Sequence, residues 1–210
     1  MSPLCRPVIC LVTGRSSDMA ATIALVTTAV KAGIDLVQIR ERDLDDRSRL
    51  ALTRAAVDAA RGSRARILVN ERLDIALAAG ADGVHLRGDS VAASSVRRHG
   101  PPGFIIGRSV HSRDEAVAAE REGGCDYLIF GTVFSTTSKP EGHPSLGTGA
   151  LKEVCARVRL PVLAIGGISV DRAPDVAAAG AAGIAAISLF TAAEGVRSTI
   201  EALRRAFDTQ

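Results

Sequence analysis

Short, largely apolar runs, each followed by a stretch of helical length that in six cases stops at glycine, recur eight times along the 210 residues. The first is 8–13 (VICLVT), rich in β-branched residues and ended by Gly14, with 18–32 helical behind it and closed by Gly33. Runs 36–40, 67–69, 83–86, 105–110, 127–130, 162–165 and 184–189 repeat the strand. Stretches 43–60, 73–79, 91–99, 113–122, 149–158, 171–179 and 194–207 repeat the helix. A strand with no polar alternation has both faces covered, as a parallel sheet flanked by helices requires. Eight such units in one domain spanning 1–210 fit a closed (β/α)8, or TIM, barrel, although periodicity alone also permits an open flavodoxin-like sheet.

Composition narrows the function classes. Aromatic residues make up 3% of the chain and Trp is absent, which leaves few stacking platforms for nucleic acid bases. A net charge of +3 with scattered Lys and Arg gives no nucleic-acid stripe, so small anions are the expected partners. Cys5, Cys10, Cys125 and Cys155 have no metal-finger spacing, and a reduced, cytoplasmic protein is expected. The N-terminal apolar run is strand-sized and lacks a basic segment before it, so neither signal peptide nor membrane span is expected. A homo-oligomer is compatible with the chain, because exposed and interface helix faces look alike in sequence.

In a barrel of this kind the site lies at the C-terminal ends of the strands. Those ends carry Gln38, Arg40 and Arg42; then Asn70 and Glu71; then His85, Arg87, Asp89 and Ser90; then Ser109 and His111. The sixth run leads into Ser135, Thr136, Thr137, Ser138 and Lys139, hydroxyls ending in an ammonium. The seventh ends in Gly166, Gly167 and Ile168, and the eighth carries Ile187 and Ser188. Arg40, Arg42 and Lys139 on one rim call for an anion, phosphate or pyrophosphate. The glycines fit a second phosphate held by backbone N–H groups. Each residue has a plainer reading too. Arg40 and Arg42 have Glu41, Asp43 and Asp45 as surface partners, Asn70 suits a helix cap, and His111 suits a hydrogen-bonded structural histidine.

Taken in order, QIRER resembles QLREK, NERLDIALAAGADGVHL resembles NDRVDLALAxGADGVHLGQ, and GTVFSTTSK resembles GPVFPTxTK; IGRSVHS and VLAIGGIS extend the match. These motifs are similar to those of the thiamine phosphate synthase and thiazole tautomerase superfamily of (β/α)8 barrels. The resemblance implies a transferase that joins hydroxymethylpyrimidine pyrophosphate to a thiazole phosphate. By the same resemblance Gln38, Arg40, Arg42 and Asn70 hold the pyrimidine and its pyrophosphate, Ser109 lies beside the pyrophosphate, and Lys139 neutralises it as it leaves. Thr136, Ser138, Gly167, Ile187 and Ser188 hold the thiazole phosphate.

The resemblance also implies Mg²⁺ on two aspartates. Here the first is Glu71 and the second falls on Ser90, with Asp89 one position early and Arg87 beside it. Glu71 and Asp89 are therefore the candidate metal ligands. The tautomerase branch uses a histidine where this chain has Thr132, which leaves His111 or Glu71 as its proton carrier. A third reading is a barrel that binds thiazole or thiamine phosphate without turnover.

Overall fold

The computed structural model describes residues 4, 6–14, 18–41, 43–136, 142, 144–190 and 195–208. Eight parallel strands, β1 (Val8–Val12), β2 (Leu36–Ile39), β3 (Arg66–Asn70), β4 (Gly83–Leu86), β5 (Ile105–Val110), β6 (Tyr127–Gly131), β7 (Val162–Ile165) and β8 (Gly183–Ala186), pair in chain order. β8 returns to β1, with Ile9 opposite Ile184, so the sheet closes on itself. Helices α1 (Met19–Lys31), α2 (Asp46–Ala60), α3 (Leu73–Ala79), α4 (Ala93–Arg97), α5 (Arg113–Glu122), α6 (Gly147–Arg157), α7 (Ala173–Ala178) and α8 (Val196–Asp208) alternate with the strands. The open-sheet alternative is thereby removed.

Two apolar layers explain why the strands are apolar throughout. One set of strand residues, including Ile9, Leu11, Val37, Ile39, Ile67, Leu128 and Ile184, is buried with apolar helix residues. The alternate set, Val8, Cys10, Val12, Leu36, Leu68, Ile105, Tyr127, Ile129 and Leu163, packs inside the barrel. Each fully buried Leu or Ile contributes roughly 1.5–3 kcal/mol. The opposite rim is tied by Asp35, which accepts from the Ile9 N–H at 2.9 Å and from Arg204 Nη2 of α8 at 2.9 Å.

Several boundaries move for local reasons. α2 begins at Asp46, not 43, because the Asp45 carboxylate caps it by accepting from the Ser48 N–H at 2.8 Å. The eighth strand ends at Ala186, where its pairing with β1 and β7 ends; Ser188–Phe190 form a 3₁₀ turn that buries Phe190. Helix 171–179 is instead a 3₁₀ turn, Val170–Arg172, followed by α7. No helix among the described residues is long and apolar enough to cross a membrane.

Candidate functional site

The interior set of strand residues runs on, with period two, into polar residues at the C-terminal mouth. Leu36 is followed by Gln38 and Arg40, Leu68 by Asn70, Gly83 by His85 and Arg87, and Ile105 by Gly107, Ser109 and His111. Side chains two apart share a face of a strand, so one phase supplies both the interior core and the site.

Arg40 follows β2, and its backbone N–H donates to the buried Thr13 hydroxyl at 2.9 Å. Arg49 of α2 clamps the loop beyond it, donating from Nε to the Glu41 carbonyl at 3.1 Å and from Nη2 to the Leu44 carbonyl at 2.6 Å. Gln38 Nε2 donates to Asn70 Oδ1 at 2.9 Å, which leaves the Asn70 amide NH₂ as the group it can offer a ligand. A cleft of about 220 Å³ opens here, lined by Ile39, Arg40, Glu41, Arg49, Asn70, Glu71, Arg72 and Arg87. Four guanidinium groups and two carboxylates line it; Arg49, Arg72 and Arg87 also pair with Asp46, Asp74 and Asp89, and the N–H donors gathered there suit an anion.

Glu71 is the one non-glycine with positive φ, 69°, among the described residues. Such a backbone costs roughly 1–3 kcal/mol and persists only when its surroundings hold it. Here its N–H donates to the His85 carbonyl at 3.0 Å and its own carbonyl accepts from Leu73 at 3.0 Å. Its carboxylate Oε1 takes both the Arg87 backbone N–H, at 2.7 Å, and the Ser90 hydroxyl. Asp89 is placed elsewhere. It accepts from Arg87 Nη2 at 2.7 Å, and its side chain is 70% exposed.

Across the mouth, Gly166 and Gly167 have φ of 100° and 62°. A Cβ on Gly167 would stand 2.3 Å from the Ser135 carbonyl oxygen, so only glycine allows the loops after β6 and β7 to touch. Arg172 staples them: its Nη1 donates to the Gly167 carbonyl at 2.8 Å and its guanidinium lies 4.8 Å from the centre of the Phe134 ring. The N–H groups of Gly167 and Ile187 take no backbone acceptor among the described residues. Thr136 is half-buried on the β6 loop and Ser188 is exposed on the turn after β8. Arg42, Ser138 and Lys139 lie outside the described residues.

His111 is exposed and donates from Nδ1 to the Gly131 carbonyl at 2.6 Å. His85 and Tyr127 were not assigned a role from the sequence. His85 is 2% exposed, with Nδ1 3.1 Å from the Tyr127 hydroxyl and Nε2 2.8 Å from Ser109 Oγ. Burial, and then the positive charge of Arg40, pushes its imidazole down to about 3. Its phase, two residues before Arg87 on one strand, was the available signal. Cys10, Cys125 and Cys155 are free thiols, and burial pushes Cys10 up to about 12, so it is an inert core residue.

The family model for thiamine monophosphate synthase matches residues 9–190. The chain is 42% identical over 180 residues to the thiamine-phosphate synthase of Methanoculleus marisnigri, covering 86% of this chain and 85% of that protein. It is 37% identical over 203 residues to that of Chlorobium luteolum, covering 97% and 94%. Among solved structures, thiamine phosphate pyrophosphorylase from Pyrococcus furiosus superposes with a TM-score of 0.81 at 32% identity, over 97% of this chain and 96% of that one. A 3-hexulose-6-phosphate synthase from Salmonella typhimurium, at 14% identity and a TM-score of 0.75, shares the fold alone. With its motifs on the strand ends of a closed barrel, and with a match that spans nearly all of it, this chain belongs to the thiamine monophosphate synthase family.

Proposed function

We propose that this protein is a thiamine-phosphate synthase, joining hydroxymethylpyrimidine pyrophosphate to thiazole phosphate with release of pyrophosphate. The observation that carries the reading is a mouth with two different poles: an arginine-lined cleft on β2 to β4, and a glycine turn with available N–H groups on β7 and β8. A diphosphate suits the first and a monophosphate the second.

In the reaction the bond between the pyrimidine methylene carbon and the pyrophosphate oxygen breaks, its electron pair leaving with oxygen. The resulting cation is captured by the thiazole nitrogen lone pair. The protein's part is electrostatic and geometric. Arg40 and Arg87 face the charge that gathers on the departing oxygens, and Ser109 donates a hydrogen bond to them. Gln38 orients Asn70 so that its NH₂ points to the same substrate. Arg42 and Lys139 add cations by resemblance, Thr136 and Ser138 donate to the thiazole phosphate, and Gly167, Ile187 and Ser188 complete that pole.

Mg²⁺ fits this donor set through Glu71 alone. Such an ion commonly takes one or two carboxylates, with water and substrate phosphates filling its octahedron. It would supply further neutralisation of the pyrophosphate. Asp89 does not join Glu71, being paired with Arg87; Ser90 is the residue that reaches it. Among the described residues no cluster of three or more His, Cys, Asp or Glu suits a metal.

The tautomerase reading lacks its histidine: Thr132 stands at that position and cannot titrate near neutral pH. The test is pyrophosphate release from the purified protein with both substrates, with and without Mg²⁺. Release that needs both substrates supports the synthase. No release, with thiazole phosphate still bound in calorimetry, would replace it with a binding role.

A further inference from the structure

Ser109 and His85, 2.8 Å apart, look at first like a serine nucleophile with its base. Counting protons gives the opposite direction. His85 is 2% exposed, and among the described residues its two ring nitrogens meet only the Tyr127 and Ser109 hydroxyls, with no carboxylate to pair a charge. The ring that fits there is the neutral one, with a single N–H. Tyr127 is fully buried, and among the described residues its hydroxyl has one hydrogen-bond partner, His85 Nδ1. If Nδ1 held the proton, Tyr127 would accept from it and its own O–H would be buried without an acceptor, costing roughly 1–3 kcal/mol. If Nδ1 is bare, Tyr127 donates to it and nothing is wasted. The single imidazole proton then sits on Nε2 and is donated to Ser109 Oγ. Ser109, partly exposed at the mouth, keeps its own proton for a ligand.

The register makes this arrangement possible. Asn70, His85, Gly107 and Tyr127 are successive partners across β3 to β6. A Cβ on Gly107 would lie 2.2 to 2.4 Å from the outer atoms of the Tyr127 ring. Glycine at that place lets tyrosine and histidine meet across an intervening strand.

We propose that Tyr127 and His85 are positioning residues, forming a one-way hydrogen-bond chain that fixes Ser109 as a donor to an anionic oxygen at the mouth and forbids it from acting as a nucleophile. Accepting from Nε2–H strengthens the serine as a donor, since hydrogen bonds in a chain polarise one another. That the oxygen belongs to departing pyrophosphate rests on the synthase reading; the direction of the chain does not.

The deciding measurement is the long-range ¹H–¹⁵N correlation spectrum of the imidazoles in the wild-type protein, with His85 assigned by its loss in His85→Gln. Protonated Nε2 and bare Nδ1, unchanged between about pH 5 and 8, is the expected result. A protonated Nδ1, or a ring that titrates in that interval, overturns the proposal whatever the activity proves to be. In kinetics Tyr127→Phe is expected to lower kcat about tenfold with both KM values little changed. The double variant Ser109→Ala/Tyr127→Phe is expected to be no slower than Ser109→Ala, because the two act as one unit. Losses that multiply would assign Tyr127 to packing and overturn its role. If the wild type releases no pyrophosphate, the synthase reading falls while the spectrum still decides the chain.

Discussion

The Ser90 hydroxyl donates to Glu71 Oε1, the same oxygen that takes the Arg87 backbone N–H. These two residues come from the ends of neighbouring strands and stand where the family resemblance would place a pair of aspartates. One carboxylate with a hydroxyl beside it is a weaker metal site than two carboxylates, because it brings one negative charge fewer.

A Mg²⁺ titration of pyrophosphate release therefore separates Glu71 from Asp89. Glu71→Gln is expected to raise the Mg²⁺ concentration for half-maximal rate about tenfold or more, in keeping with loss of the sole carboxylate. Asp89→Asn is expected to shift it less than about twofold, since its exposed pair with Arg87 is worth little. The reverse order would return Asp89 to the metal site.

Gly107→Ala is expected to lower stability by about 1–3 kcal/mol, because the new methyl must displace a fully buried Tyr127 ring. Urea unfolding, with the midpoint compared at constant slope, checks this. Unchanged stability would mean that the barrel interior yields more readily than its packing suggests.

Arg172→Ala removes the staple between the Gly167 carbonyl and the Phe134 ring. The KM for thiazole phosphate is expected to rise about 5- to 30-fold, or about 1–2 kcal/mol of binding, while the KM for the pyrimidine substrate stays put. Equal rises in both would show a general loosening of the mouth instead of a local one.

His85 also sets a pH dependence of stability. Its folded value lies near 3 against 6.5 ordinarily, so below pH 6.5 the unfolded chain takes up a proton that the native ring refuses. Stability from this group is complete above 6.5, falls as pH drops toward 3, and levels off below it, at a slope of up to about 1.4 kcal/mol per pH unit. The difference in unfolding free energy between wild type and His85→Gln is expected to shrink over that window. A constant difference would show that His85 takes up its proton alike in the folded and unfolded chains.

The architecture was legible because the strands are largely apolar on both faces and six of the eight helical stretches are followed by a glycine, signals that survive without any tertiary information. Strand-end residues were legible for the same reason, since the last apolar position of a run locates the mouth. Gln38, Arg40, Asn70, Ser109 and Gly167 all fall where that rule puts them. Boundaries were less legible. Asp45 as a cap, and the 3₁₀ turn at Ser188–Phe190, depend on local hydrogen bonds and pairing that composition does not reveal.

The chain determined by itself the strand phase and the residue types at the mouth, because side-chain alternation along a strand is a local property. Which residues meet was decided by the closed barrel alone. His85 and Tyr127 lie 42 residues apart and join only because Gly107 stands between them in the register. Glu71 meets Ser90 while Asp89 turns to Arg87, a choice of one position set by the strained turn at Glu71 and the hydrogen bonds that hold it.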